Sequence, residues 1–120
     1  MKMQAKCRHL RDARLMVAIA DAHAAADAAG RISSEAGAWV SRMGAGGDDA
    51  GDAAACAMRA RMAAERAEHC STTAEAWSCA RLAWAIVAST REASERVNAA
   101  IAGSLIVASA TEWGLQGHDQ

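Results

Sequence analysis

Apolar residues recur along the chain at spacings of three and four, which is the period of an α-helix. Over residues 4–29 this pattern meets no helix breaker, and it ends at Gly30, where a glycine can close a helix in the left-handed conformation. The serines and glutamate at 33–35 favour the start of a second, short helix that ends at Gly44. The first third of the chain therefore predicts two helices.

The segment GAGGDDAG, residues 44–51, is predicted to be a flexible loop. Four glycines and two aspartates in eight residues make an ordered helix costly in backbone entropy. Asp52 is then placed to cap a third helix that runs to about His69, with Met58 and Met62 one turn apart on its apolar side.

Two capping boxes, each a Ser or Thr with Glu three residues later, divide the rest of the chain. One begins at Thr72 and predicts helix four; the other begins at Ser89 and predicts helix five over about 90–113. Whether these two helices bend into one another near 88–90 stays open. The tail, residues 114–120, has two glycines and no apolar period, so we expect it to fray.

Helix four is apolar around most of its circumference, which is typical of a helix with neighbours on several sides. Trp77 and Trp84 lie seven residues apart and so share one face. We expect both indoles to supply much of the core. Helix five carries an apolar stripe, which predicts that it is buried too; the stripe consists of Val97, Ile101, Leu105 and Ala108.

The composition gives the same fold class. The chain has 120 residues with 34 alanines and no proline, phenylalanine or tyrosine, so the best helix former dominates and the strongest breaker is absent. This length suits one domain. We therefore predict an all-α, single-domain bundle of four to five helices over residues 1–120, with an alanine-rich core.

Charge gives no sign of a nucleic-acid or membrane partner, because 13 basic and 14 acidic residues leave a formal charge of −1. The longest uncharged segment, 97–111, is too short and too rich in small and polar residues to span a bilayer. No secretory signal is evident near the start. We expect a cytoplasmic protein with no membrane partner and free thiols.

Candidate chemistry is sparse. Cys7, His9, His69 and Cys70 would make a tetrahedral zinc set only if two distant places met, and no C-x-x-C spacing supports that. His23 and Asp27 are one turn apart, which is typical of a weak surface pair. No pattern in the sequence pairs a Cys or Ser nucleophile with a base, as nucleophilic catalysis requires. The sequence predicts neither an enzyme nor a cofactor or metal site.

A partner surface is the function that remains. Tryptophan is the residue most enriched at binding hot spots, and all aromatic residues of this chain are its four tryptophans. Trp39, beside the glycine loop, and Trp113, near the tail, are the candidates, with core packing as the alternative for each. The charged residues around the loop complete the candidate set: Arg42, Asp48 and Asp49.

The segment AWSCARLAW, residues 76–84, resembles a helix of small phage-type proteins, and the alanine-rich helices around it resemble putative immunity proteins of toxin systems. The spacing from Trp77 to Cys79 is one residue shorter than in that pattern. The resemblance implies a small protein that binds and blocks a larger one. Its most concrete version is a phage or mobile-element inhibitor of a bacterial defence complex, such as an anti-CRISPR, or an immunity-type protein.

The alternative function is a helical DNA-binding regulator. It would use the basic first helix together with Arg31 and Arg42, and its retention on DNA would depend on salt. The near-neutral net charge makes nucleic acid the less favoured partner. An alanine core is thin, which also leaves a homodimer open. The basic residues of the first helix are Lys2, Lys6, Arg8, Arg11 and Arg14.

Overall fold

The computed structural model describes the backbone of residues 2–118 and the side chains of residues 12–112. Over residues 2–118 the chain forms three α-helices and no strand: α1 (Lys2–Met43), α2 (Gly47–Glu68) and α3 (Thr73–His118). They run up, down and up, and each helix packs against the other two. The all-helical class is confirmed, whereas the predicted four to five helices are not.

The core is a set of alanine seams. Of the nineteen buried apolar residues among the described side chains, fifteen are alanine. On each helix they recur at alternating spacings of four and three, the heptad spacing of helices that pack nearly parallel. The seam of α1 contains Ala18, Ala22, Ala25, Ala29 and Ala36; that of α2 contains Ala53, Cys56, Ala60, Ala63 and Ala67; that of α3 contains Ala76, Ala80, Ala83, Val87, Thr90 and Val97.

The tryptophans do not form the centre of this core. Trp84 is 41% exposed, and its indole N–H donates to Asp21 on α1 at 2.9 Å. Trp77 is only partly buried and lies against the edge of the alanine cluster. The expected burial of Trp84 is therefore wrong. Small alanine side chains let the helices approach closely, and the seam between them has no room for an indole.

The predicted break at Gly30 is wrong as well, and the question left open at 88–90 is answered by one continuous helix. α1 continues through Gly30 and the serines that follow it, and α3 continues through Ser89. Instead of capping a new helix, the hydroxyls of Ser89 and Thr90 donate to the carbonyls of Ala85 and Ile86, four residues earlier in the same helix. Burial of the alanine seam on both sides of each site outweighs the weak local signal.

The α1–α2 turn is shorter than the predicted loop 44–51, because only residues 44–46 are outside the helices. Gly44 ends α1 in the left-handed region, and its N–H donates to the carbonyl of Val40 at 2.8 Å. α2 begins at Gly47, five residues before the predicted cap Asp52. At the other connection the prediction holds: α3 begins at Thr73, and the Thr72 hydroxyl accepts the N–H of Glu75 at 3.2 Å.

We expect Gly46→Ala to destabilise the protein by about 2 kcal/mol. Gly46 has a φ of 84°, and a Cβ there would lie 3.3 Å from Cα and Cγ1 of Val97. Gly44→Ala is the matched control, since its φ is 70° but a Cβ would meet nothing within 4 Å. Urea unfolding measures both. Equal losses for the two variants would show that the contact with Val97 relaxes without cost.

The molecule is a rod of 92 × 18 × 15 Å. α2 has 22 residues, about half the length of α1 with 42 and of α3 with 46, so the three-helix cross-section covers only the middle. The first part of α1 extends past one end of α2, and the last part of α3 extends past the other. In the described part of the chain, none of the helices has a stretch long and apolar enough to cross a membrane.

Candidate protein-binding surface

The last part of α3, residues 102–118, projects beyond the other two helices, and we call it the α3 projection. Gly46, just before α2, lies against Val97, so α2 begins at that level and runs away from the projection. Every described side chain of the projection, from residue 102 to 112, is exposed. The predicted burial of this stretch is wrong past Ile101, because within the described part of the chain no other helix lies beside α3 there.

The α3 projection exposes three large apolar side chains in succession. Leu105 is 52% exposed, Ile106 68% and Val107 65%. Consecutive helical residues point about 100° apart, so these three face different directions. No charge occurs over residues 97–111. A helix that is apolar around its circumference is normally buried, and an exposed apolar patch of this kind marks an interaction site.

Trp39 lies beside the base of the projection. It is 42% exposed and lines a groove of about 230 Å³ between α1 and α3. On the α3 side this groove includes Ser94 and Asn98. Ile101 and Leu105 follow these two residues by seven positions each and so fall on the same side of α3. The groove therefore leads onto the projection.

Arg42 lies next to Trp39 at the base of the projection. Its guanidinium carbon lies 5.6 Å from the centroid of the Trp39 ring, which is a cation–π contact. The structure thus brings these two candidates of the sequence together. Trp113 lies within the α3 helix, but its side chain is outside the described residues.

The two aspartates of the candidate set are in the first turn of α2, where a carboxylate interacts favourably with the positive end of the helix dipole. Asp49 accepts a hydrogen bond from Nε of Arg96 at 3.0 Å, so it also links α2 to α3. Asp48 is exposed. The ion pair therefore gives Asp49 a structural role in joining α2 to α3.

A second apolar surface runs along the middle of the rod. Met58 and Met62 of α2 are exposed and line, with Ala26 and Gly30 of α1, a groove of about 530 Å³. Unlike the α3 projection, this groove is backed by the bundle on two sides. It offers a comparison surface with apolar side chains of similar exposure.

The candidate metal ligands and the candidate His–Asp pair are not brought together among the described residues. No three His, Cys, Asp or Glu residues among them are grouped to hold a metal ion. The predicted pair of His23 with Asp27 is wrong, because His23 Nε2 lies 2.6 Å from Glu68 and Asp27 pairs with Arg61. The side chains of Cys7 and His9 lie outside the described residues, and Cys70 lies next to Cys79 instead.

Fold and surface together define a class: a thin helical rod with an alanine core, in which the described side chains of the α3 projection are exposed at one end. Comparison with protein-family models, with curated protein sequences and with solved structures finds no match.

Proposed function

We propose that this protein is a non-enzymatic binding module that inserts its α3 projection into an apolar cleft of a larger protein. The observation that carries the proposal is the exposure of Leu105, Ile106 and Val107 on a stretch of α3 that no other described residue covers. An isolated helix of this length is marginal in water, so contact with a partner supplies the missing stabilisation. Apolar side chains on several sides suit a helix that lies in a groove rather than on a flat surface.

The base of the projection has the character of an interface rim. Trp39 and Arg42 lie on one side, and the groove between α1 and α3 carries Arg91 and Glu95. Aromatic residues and arginine are enriched at interfaces, and polar groups at the edge of an apolar centre are their usual arrangement. We therefore place Trp39 and Arg42 in the same contact as the projection, with Asp48 at its edge.

The resemblance of residues 76–84 to phage-type and immunity proteins gives this function a more specific form. A helix that fills an apolar cleft blocks whatever that cleft binds. We propose an inhibitor of a bacterial defence complex, anti-CRISPR-like, or an immunity-type protein, as this specific form. Binding and blocking require no catalytic group, which agrees with the absence of a predicted constellation.

Quantitative affinity capture with matched variants tests the proposal. Leu105→Glu combined with Ile106→Glu removes the apolar character of the projection. Met58→Glu combined with Met62→Glu is the control, because those side chains are 69% and 58% exposed on the bundle itself. We expect the projection variant to capture at least about 30-fold less partner protein than the unmodified chain, as is usual when hot-spot residues are removed. The control variant should capture nearly as much as the unmodified chain.

The same variants distinguish a protein partner from two other binding partners, DNA and a second copy of this chain. Salt-sensitive recovery of DNA, equal for both variants, would contradict the proposal and favour the regulator that uses the basic first helix. Sedimentation of the purified chain addresses a second copy. A dimer that the projection variant converts to a monomer would show that the chain itself covers the apolar helix.

A further inference from the structure

Cys70 and Cys79 form a close pair of thiols at the α2–α3 connection, at the end of the three-helix section opposite to the base of the α3 projection. Their Sγ atoms are 3.9 Å apart, and both cysteines are free. Cys79 is buried on the inner face of α3, and Cys70 lies half-buried in the α2–α3 connection. The Cys70 thiol also donates to the carbonyl of Arg66 at 3.3 Å.

The fold itself brings the two thiols together. Cys70 lies two residues after the end of α2, and α3 begins shortly afterwards, directly after its cap Thr72. Cys79 then lies two turns into α3 within the core cluster, against which Cys70 packs. Because Cys70 is outside any helix, its side chain and backbone have freedom to adjust, whereas Cys79 is held within the core cluster.

We propose that Cys70 and Cys79 are a dithiol site that a peroxide oxidises to an intramolecular disulfide. A disulfide has an S–S distance of about 2.05 Å, so the two sulfurs must approach by roughly 1.9 Å. Rotation of the Cys70 side chain and a small shift of the connection provide such a movement. This inference does not depend on the proposed binding function.

The more exposed Cys70 is the residue that meets the oxidant first. Its thiolate attacks one peroxide oxygen, so that an S–O bond forms, the O–O bond breaks and the other oxygen leaves as water. Cys79 sulfur then attacks Cys70 sulfur, the S–S bond forms, and the S–O bond breaks with the oxygen leaving as a second water. In sum, two thiols lose two protons and two electrons, and hydrogen peroxide is reduced to two waters.

The surroundings of Cys70 indicate a slow site. Burial raises the pKa of this thiol, and the hydrogen bond to Cys79 and the charge of Glu75 raise it further, against a smaller lowering by Arg66. The thiolate is the reactive form, so little of it is present near neutral pH. We therefore expect oxidation by excess hydrogen peroxide and not by traces of it.

The full chain treated with hydrogen peroxide tests the site. Trypsin cleavage after Arg66 and Arg81 releases residues 67–81, which contain both cysteines. We expect this peptide to have lost two hydrogens and to resist alkylation until it is reduced. Cleavage after Glu75 should leave two pieces joined until reductant is added. The closed loop of ten residues should raise the melting temperature by about 10 °C.

Single variants assign the bond. Cys70→Ser and Cys79→Ser should abolish the joined peptides and the shift in melting temperature, while Cys56→Ser, a buried cysteine elsewhere, should retain both. A sulfenic acid trapped on Cys70 in the Cys79→Ser variant would support the order of steps. The proposal is overturned if residues 67–81 keep two alkylatable thiols, or if covalent dimers form through Cys70. It is also overturned if the disulfide leaves the melting temperature unchanged, or if purified protein holds a soft metal ion on these thiols that blocks oxidation.

Discussion

Replacement of Ala83 by aspartate should unfold the protein. Ala83 is fully buried on α3, within a cluster to which α1 and α2 contribute mainly alanines. A carboxylate there would lose its hydration and find no partner, which costs more than about 4 kcal/mol. Small domains are stable by only about 5–15 kcal/mol, and a core with so few large side chains should lie near the lower limit.

Ala85→Asp is the matched control for this prediction. Ala85 lies two residues further along the same helix and is exposed. We expect it to change the free energy of unfolding by less than about 1 kcal/mol. Circular dichroism with urea titration compares the two. A cooperative transition of Ala83→Asp at the midpoint of the control would show that the three helices do not meet at this seam.

The helical class and the alanine core follow from the composition, because no other residue type is present in sufficient number to fill an interior. The ends of helices were predictable where backbone geometry left no choice. Gly44 adopts a positive φ and ends α1, and Thr72 caps α3. These sites are determined by a few neighbouring residues, and a single sequence contains that information.

The number of helices was not predictable from the same local signals. Gly30 and Ser89 resemble helix boundaries, yet both lie inside helices of more than 40 residues. A Cβ at Gly30 would meet nothing within 4 Å, so the glycine serves no close contact and is tolerated at a cost of about 1 kcal/mol. Packing along the whole seam decides the outcome, and this energy is not visible in a window of a few residues.

The candidate surface was predictable in part. Trp39 and Arg42 were identified from residue type and neighbourhood, and the structure places them in contact. The α3 projection was not recognised, because Leu105 continues the apolar period of the buried Val97. Periodicity reports which residues share a face, but it does not report whether another helix reaches that far. The mismatch between a 22-residue α2 and a 46-residue α3 was the missing signal.

The position of Trp84 shows why alanine is essential to this core. The same apolar helix that suggested a buried indole instead presents alanines inward and leaves Trp84 at the surface, bonded to Asp21. The helices are held at a separation set by methyl groups. A leucine or tryptophan in place of a fully buried alanine of the seam must therefore separate two helices and disrupt the alanine contacts on both sides of it.

Ala25→Leu should accordingly destabilise the protein by about 3 kcal/mol, although leucine is the more hydrophobic residue and nearly as good a helix former. Ala25 is fully buried in the α1 seam, while the adjacent Ala24 is exposed. Ala24→Leu is thus the control, with an expected change within about 0.5 kcal/mol. Urea unfolding of both variants measures the difference. If Ala25→Leu were as stable as Ala24→Leu or more so, the helices would have room for larger side chains, and the closeness imposed by alanine would not be what excludes the tryptophans from the core.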